Sequence, residues 1–292
     1  MTPLQLRCAL AVAGTLHFTR AAAEVGLAQS ALSHQVARLE AELGAALFER
    51  TSRSVRLTAA GEALLPRARA VLAELDRLRT DVAAAGGAVE GPLRVGTVPT
   101  LADVDLAGLL VRLRERHPGV RARVVEQGSA QTVAAVAAGT LDVGFTGTAL
   151  TEPLPGVSVQ VLSTEPLAAV VAADDPWAGR SRVRLAEVAA RPGVDFPAGT
   201  SGRRQCEEAF AAAGLARDVV VESSSAALLL QLVRAGAGVA LLPAASARTA
   251  EGVRALAVVD APVRRVCAVH GGAGASAAAR AFLALLAERA PA

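Results

Sequence analysis

Residues 19–44, TRAAAEVGLAQSALSHQVARLEAELG, decide how the amino-terminal part of this chain is read. They spell a short helix, a tight turn at Gly26 and a second, longer helix. Leu32, Val36, Leu39 and Leu43 recur at steps of four, three and four, which makes one apolar stripe. The opposite face carries Gln29, Ser30, Ser33, His34 and Ala37. A helix with an apolar back and a front of small hydrogen-bonding side chains suits the floor of the DNA major groove. Amides and hydroxyls there read base edges, whereas a denser charged face would mostly read phosphates. The competing reading is an ordinary surface hairpin in an alanine-rich protein.

The next stretch favours the first reading. Residues 47–58, LFERTSRSVRLT, place Arg50, Arg53 and Arg56 among Thr51, Ser52 and Ser54. Residues 53–57 can form one arm of a small hairpin, although no Asn-Gly turn is present. Three guanidiniums beside a helix-turn-helix suit a phosphate clamp. A solvated loop kept soluble by its arginines is the alternative.

These motifs together resemble the amino-terminal domain of LysR-type transcriptional regulators. The resemblance rests on Phe18-Thr19-Arg20-Ala21-Ala22, on the run from Gln29 to Gln35, and on Leu39 to Gly44, Leu47 to Arg50 and Leu57 to Gly61. It implies a winged helix-turn-helix whose recognition helix is entered at Gln29. The implied DNA contacts are Thr19, Arg20, Gln29, Ser30, Ser33, His34, Arg38, Arg50, Arg53 and Arg56. Ser30 stands where the family has proline and His34 where it has arginine. The second departure removes a permanent charge from the groove face. An exposed histidine there is either a neutral surface group or a DNA contact that strengthens as pH falls.

Thr58 can cap a helix that runs to about Ala84. Leu64, Ala68, Val71, Leu75, Leu78 and Val82 follow a four-three-four-three-four spacing, the seam of a helix pair. Packing on its own domain is the alternative, and Leu65 and Leu72 widen the stripe towards it. A dimer predicts an interrupted palindrome in double-stranded promoter DNA, with half-sites a whole number of helical turns apart. The resemblance implies the same, with tetramers common and RNA polymerase a further candidate partner.

At 292 residues the chain is long for one domain. Apolar residues are 52% and aromatics 2%, so its cores must be built from Ala, Val and Leu. All 30 basic residues are arginine, and the net charge is only +3. No global basic field therefore argues for nucleic acid, and that case rests on local placement. Three cysteines are an odd number and argue against a secreted disulfide framework. No signal segment or membrane span is expected, so a cytoplasmic protein is.

Ala83 to Pro92 reads as a linker. Three domains follow: 1–58 as the winged helix-turn-helix, 59–91 as the linker and dimerisation helix, and 92–292 as the effector domain. Beyond Pro92 strands alternate with helices, in the order of an open parallel α/β sheet. Strands are expected at 93–98, 120–126, 142–145, 167–172, 219–222, 239–242 and 266–269. Helices are expected at about 101–116, 129–138, 203–213, 226–235 and 276–289. The same family is resembled here through Arg116-His117-Pro118, Gly139 to Asp142 and Ala235 to Pro243. It implies two Rossmann-like lobes, as in periplasmic binding proteins, one of about 92–161 with 266–292 and one of about 162–265.

A ligand in such a fold sits beyond the carboxyl ends of the strands, where helix amino-termini converge. Thr97 to Thr100, Gly128-Ser129 and Gly199 to Gly202 each offer backbone N–H groups and a hydroxyl, which suits an anion. The candidate effector residues are Thr97, Pro99, Thr100, Gly128, Ser129, Phe145, Phe196, Thr200 and Ser201, with the two phenylalanines as apolar wall. Plain helix capping is the alternative for Thr100, Ser129 and Ser201. Arg203 and Arg204 either pair with an acidic ligand or face water. No catalytic, metal or cofactor motif is found, so an enzyme is not expected. In peroxide-sensing members of the family the reactive cysteine falls on Ser201, and Cys206 does not match it, so no regulatory disulfide is expected. A solute-binding protein without a DNA role is the rival reading.

Overall fold

The computed structural model describes residues 1–51, 54–86, 88–101, 104–148, 154–248 and 250–288. They form two compact units, Met1–Gly91 with Ala138–Thr140, and Pro92–Ala137 with Leu141–Ala292.

The first unit opens with α1 (Pro3–Thr15), whose Thr2 and Gln5 form a reciprocal capping box. In α2 (Phe18–Val25) the His17 side chain accepts from the Arg20 N–H at 3.4 Å. Gly26, at φ +72°, ends α2 in the left-handed conformation that the turn into α3 (Gln29–Leu43) demands. Leu32, Val36 and Leu39 are fully buried against Leu6, Val12, Ala21 and Phe48. Each contributes about 1.5–3 kcal/mol relative to exposure. Leu43, expected on the same stripe, is exposed because α3 ends there.

A hairpin follows: β1 (Phe48–Arg50) pairs antiparallel with β2 (Val55–Leu57), Phe48 opposite Leu57. Thr58 caps α4 (Ala59–Ala85), its hydroxyl oxygen accepting from the Gly61 N–H at 3.0 Å and donating to the Ala46 carbonyl. The expected seam of α4 divides. Ala68 is buried in the unit's own core, which corrects its assignment to a partner contact, and Leu64 is half-buried against the same core. Val71, Leu78 and Val82 are exposed and Leu75 is half-buried. The first turns of α4 lie against α1, and that contact consumes their apolar face.

The second unit runs β3 (Gly91–Thr97), α5 (Leu106–Arg116), β4 (Val120–Glu126), α6 (Ser129–Ala137) and β5 (Val143–Thr146). It continues with β6 (Ser158–Ala172), β7 (Arg182–Val183), α7 (Leu185–Ala189), β8 (Gly193–Asp195), α8 (Ser201–Ala212), β9 (Val219–Glu222), α9 (Ala226–Arg234) and β10 (Ala240–Pro243). The last elements are α10 (Ala244–Arg248), β11 (Val253–Val258), β12 (Val263–His270) and α11 (Ala277–Ala287). α5 begins later than expected because Asp105 caps it, accepting from the Gly108 N–H at 2.8 Å.

The sheet is mixed, which corrects the expectation of an open parallel one. Its order is β4-β3-β5-β12-β6-β11-β7, with β10 also on β6. β3–β5 and β11–β7 pair parallel; β12 runs antiparallel to β5 and β6, and β6 runs antiparallel to β10 and β11. β8 and β9 pair parallel as a separate ribbon. The physical reason lies in two long strands that serve both halves of the sheet. Residues 158–161 of β6 pair with 267–270 of β12, while residues 167–172 pair with β10 and β11. A bulge between Val266 and Cys267 marks the change of register.

Gly61 explains one sequence motif. A methyl at this position would collide with the Leu47 carbonyl oxygen and press on the Leu57 side chain at 2.8 Å. Gly61→Ala is therefore expected to destabilise the first unit by about 1–3 kcal/mol through overpacking. Thermal melting followed by circular dichroism checks this; an unchanged midpoint would contradict it.

Candidate DNA-reading face and ligand cleft

The buried back of α3 dictates what its front presents. Gln29, Ser30, His34 and Arg38 are exposed, and Ser33 is half-buried. Thr19 and Arg20 are exposed in the first turn of α2. No side chain caps the α3 amino-terminus at Ala28, so its first N–H groups and the positive end of the helix dipole stay available to a phosphate. Arg56 is exposed on β2, and Arg53 lies outside the described residues.

Arg50 is more constrained than a phosphate clamp requires. Its guanidinium donates to Ser33 Oγ at 3.2 Å and to Glu40 Oε2 at 3.1 Å, and lies 4.4 Å from the Phe18 ring centroid. The other Glu40 oxygen accepts from the backbone N–H groups of Leu47, at 2.9 Å, and Phe48, at 3.2 Å. One carboxylate therefore fastens the hairpin to the helix through charge-assisted bonds. Spacing alone did not reveal Glu40, because it reads as a routine charged position in α3.

In the second unit a cleft of about 610 Å³ opens beyond the carboxyl ends of β3, β5, β8 and β10. Pro99, Thr100, Gly128, Ser129, Phe196, Thr200 and Ser201 all line it. Thr97 and Phe145 do not. The Thr97 carbonyl accepts from the Gln127 N–H at 2.9 Å, which holds Thr97 in the strand layer. Phe145 is fully buried and meets Phe282 edge-on at 6.3 Å, so it is core, not cleft wall.

The hydroxyls divide by role. Thr200 accepts from the Arg203 N–H at 3.4 Å and donates to the Pro197 carbonyl at 2.8 Å, the bonds of a helix cap. Ser129 Oγ accepts from the Gly147 N–H at 3.1 Å and so joins α6 to the end of β5. Gln127 was not foreseen. Its side-chain nitrogen is shielded from solvent and has no hydrogen-bond partner among the described residues, which leaves a donor for a ligand or a water.

Two charged residues of the lining were also unforeseen. Asp195 is buried, ion-paired to Arg217, and has Arg203 at 3.8 Å. Arg203 also reaches Glu207 at 2.7 Å and Glu222 at 2.8 Å, so its charge is committed to protein carboxylates. Arg204 is exposed beside Glu208. Arg264 is 3% exposed and lines the cleft next to Gly147, where a methyl would lie 3.1 Å from its guanidinium nitrogens. A charged side chain so deep in a strand gives no local sequence signal; it becomes visible only when β12 is placed beside β6.

These two sites decide where the chain belongs. Residues 4–62 match the description "Bacterial regulatory helix-turn-helix protein, lysR family", and residues 86–291 match "LysR substrate binding domain". The chain belongs to the LysR family. It is a DNA-binding transcriptional regulator with an effector-binding domain. It is 35% identical over 235 residues to the transcriptional regulator ShiR of Corynebacterium glutamicum (strain R), covering 80% of this chain and 79% of that protein. It is 33% identical over 235 residues to the dual regulator OxyR of Escherichia coli (strain K12), covering 80% and 76%. The structure of full-length CbnR complexed with its target DNA superposes with a TM-score of 0.73 at 25% identity, covering 99% of each chain. Among the described residues of this LysR-family chain, no helix is long and apolar enough to cross a membrane.

The cysteines are all buried and free. Burial, with Asp195 adding to it, pushes the Cys206 thiol up to about 12, so the nucleophilic thiolate is scarce at neutral pH. Cys206 is expected to resist alkylation by iodoacetamide at pH 8 in the folded protein and to react once denatured. Rapid labelling of the native chain at this position would contradict it.

Proposed function

We propose that this LysR-family regulator reads an operator as a dimer. In this reading Gln29, Ser30, Ser33 and His34 of each α3 enter the major groove, and Arg38 and Arg56 face phosphates. The observation that carries it is the division of α3 into a wholly buried back and a polar, exposed front beside a hairpin. The CbnR structure, which is of a complex with target DNA, supports the same use of the fold. Residues 1–58 would serve as the DNA-binding domain, 59–91 as the pairing helix and 92–292 as the effector domain. The bulge between Val266 and Cys267 supports lobes that change over near residues 161 and 266.

The exposed part of α4 supports pairing. Val71, Leu75, Leu78 and Val82 keep the four-three-four spacing of a seam that one chain leaves open. Pairing places two reading helices on one duplex, and linked binding exceeds either half alone. A tetramer would repeat the arrangement over two such dimers.

The effector is a small anion in the cleft of the second unit. α6 and α8 begin there, Arg264 is buried in its wall, and Gln127 offers a donor. The volume suits a small molecule. Such a ligand acts by preferring one arrangement of the paired chains, and it shifts operator binding only by that preference. The chain works as a regulator and not as a catalyst, in the cytoplasm, where its DNA is.

Two measurements test this reading. Sedimentation and anisotropy with promoter DNA are expected to show a dimer or larger, and Leu78→Glu with Val82→Glu is expected to dissociate it and weaken operator binding by about 100-fold or more. A monomeric wild type that still binds its operator would overturn the pairing. A thermal-shift screen of small carboxylates is expected to yield a stabilising ligand whose effect is reduced in Gln127→Ala. Stabilisation unchanged by that substitution would remove the cleft from the account.

A further inference from the structure

We propose that Arg50 biases Ser33 towards donating to DNA, and so acts as a positioning residue for base choice. The inference rests on the reading that α3 enters the major groove. It concerns a residue that the sequence pattern assigned to phosphate contact.

The geometry is specific. Arg50 Nη1 donates to Ser33 Oγ at 3.2 Å, and Nη2 donates to Glu40 Oε2 at 3.1 Å. The guanidinium stacks on Phe18 with 4.4 Å from its central carbon to the ring centroid. Glu40 is itself fixed by the Leu47 and Phe48 backbone N–H groups, and Phe18 packs edge-on against Phe48 at 6.2 Å. Arg50 is therefore held from two sides before it reaches Ser33.

The chemistry follows from which groups can accept. A guanidinium has five N–H donors and no acceptor, so the Ser33 oxygen must accept from it. That bond takes one of the oxygen's two lone pairs, and a hydroxyl that accepts from a cation is polarised into a better donor and a weaker acceptor. The single Ser33 hydroxyl hydrogen has no acceptor among the described residues and remains for an outside group. A donor on the front of α3 matches guanine N7 and O6, adenine N7 or thymine O4. It is mismatched with the amino groups of cytosine and adenine. With Arg50 gone, Ser33 loses that polarisation, accepts more readily from those amino groups, and can turn back and donate to the helix carbonyl four residues earlier. The arginine thus tilts a side chain of two senses towards one.

A direct phosphate contact by Arg50 has a different signature. It would weaken binding evenly across sequences and lower the salt slope by about one when removed. A positioning role changes preference at one base pair.

The experiment uses the full-length protein. Selection from a random duplex library defines the preferred half-site, and anisotropy then measures affinity for every single base-pair substitution of it. The variants are Ser33→Ala, Arg50→Gln, Arg50→Lys and the pair Ser33→Ala with Arg50→Gln. Ser33→Ala is expected to lower discrimination at one base pair by about threefold to tenfold, the scale of a single hydrogen bond. Arg50→Gln, whose amide carries both donor and acceptor, is expected to relax that same pair, and the double variant to add nothing there. Arg50→Lys, still a donor only, is expected to keep the wild-type preference. Wild-type preference retained by Arg50→Gln, or an even loss across all substitutions, would overturn the proposal. A wild type that selects no sequence would instead defeat the underlying reading of α3.

Discussion

The structure depends on burial of one side of α3. Leu32, Val36 and Leu39 are each at zero exposure in a core supplied by α1, α2, β1 and α4. Once that side is fixed, the helix has no rotational freedom left, and the polar side must face outward. The short hairpin gains its place from the same helix, through Glu40 and the two backbone N–H groups it satisfies. A two-strand ribbon this small is marginal alone and needs such support. Packing thus sets the orientation, and one carboxylate carries it to the hairpin.

The second unit solves a different problem, that of joining two halves without breaking the sheet. β6 and β12 run long enough to serve both, so the parallel grammar of the individual βα steps is interrupted by an antiparallel pair at the centre. The cleft forms where strands from either half end and α6 and α8 begin. Its lining holds two buried charged residues, Asp195, which is ion-paired to Arg217 with Arg203 at 3.8 Å, and Arg264.

Much of this was legible in the sequence because it depends on periodicity. The α3 stripe, the turn at Gly26, the Thr58 cap and most of the strands and helices of the second unit declare themselves locally. What was not legible depends on partners distant along the chain. Phe145 reads as a wall residue until α11 brings Phe282 against it. Ala68 reads as a seam residue until the fold buries it in the unit's own core. β7, α7, β8 and α10 are only two to five residues long, and runs so short carry no clear period. Arg264, Gln127 and Glu40 gave no motif, because their roles arise from what the fold sets beside them.

DNase I footprinting of the purified protein on the region upstream of its own gene tests the central claim most directly. Two polar helix fronts held by one paired molecule should protect two short segments whose centres lie a whole number of helical turns apart, about 34–36 Å per turn. Changing Gln29 and Ser33 to alanine should erase both segments while the fold persists. Protection that ignores sequence, or that survives loss of those two side chains, would contradict the account.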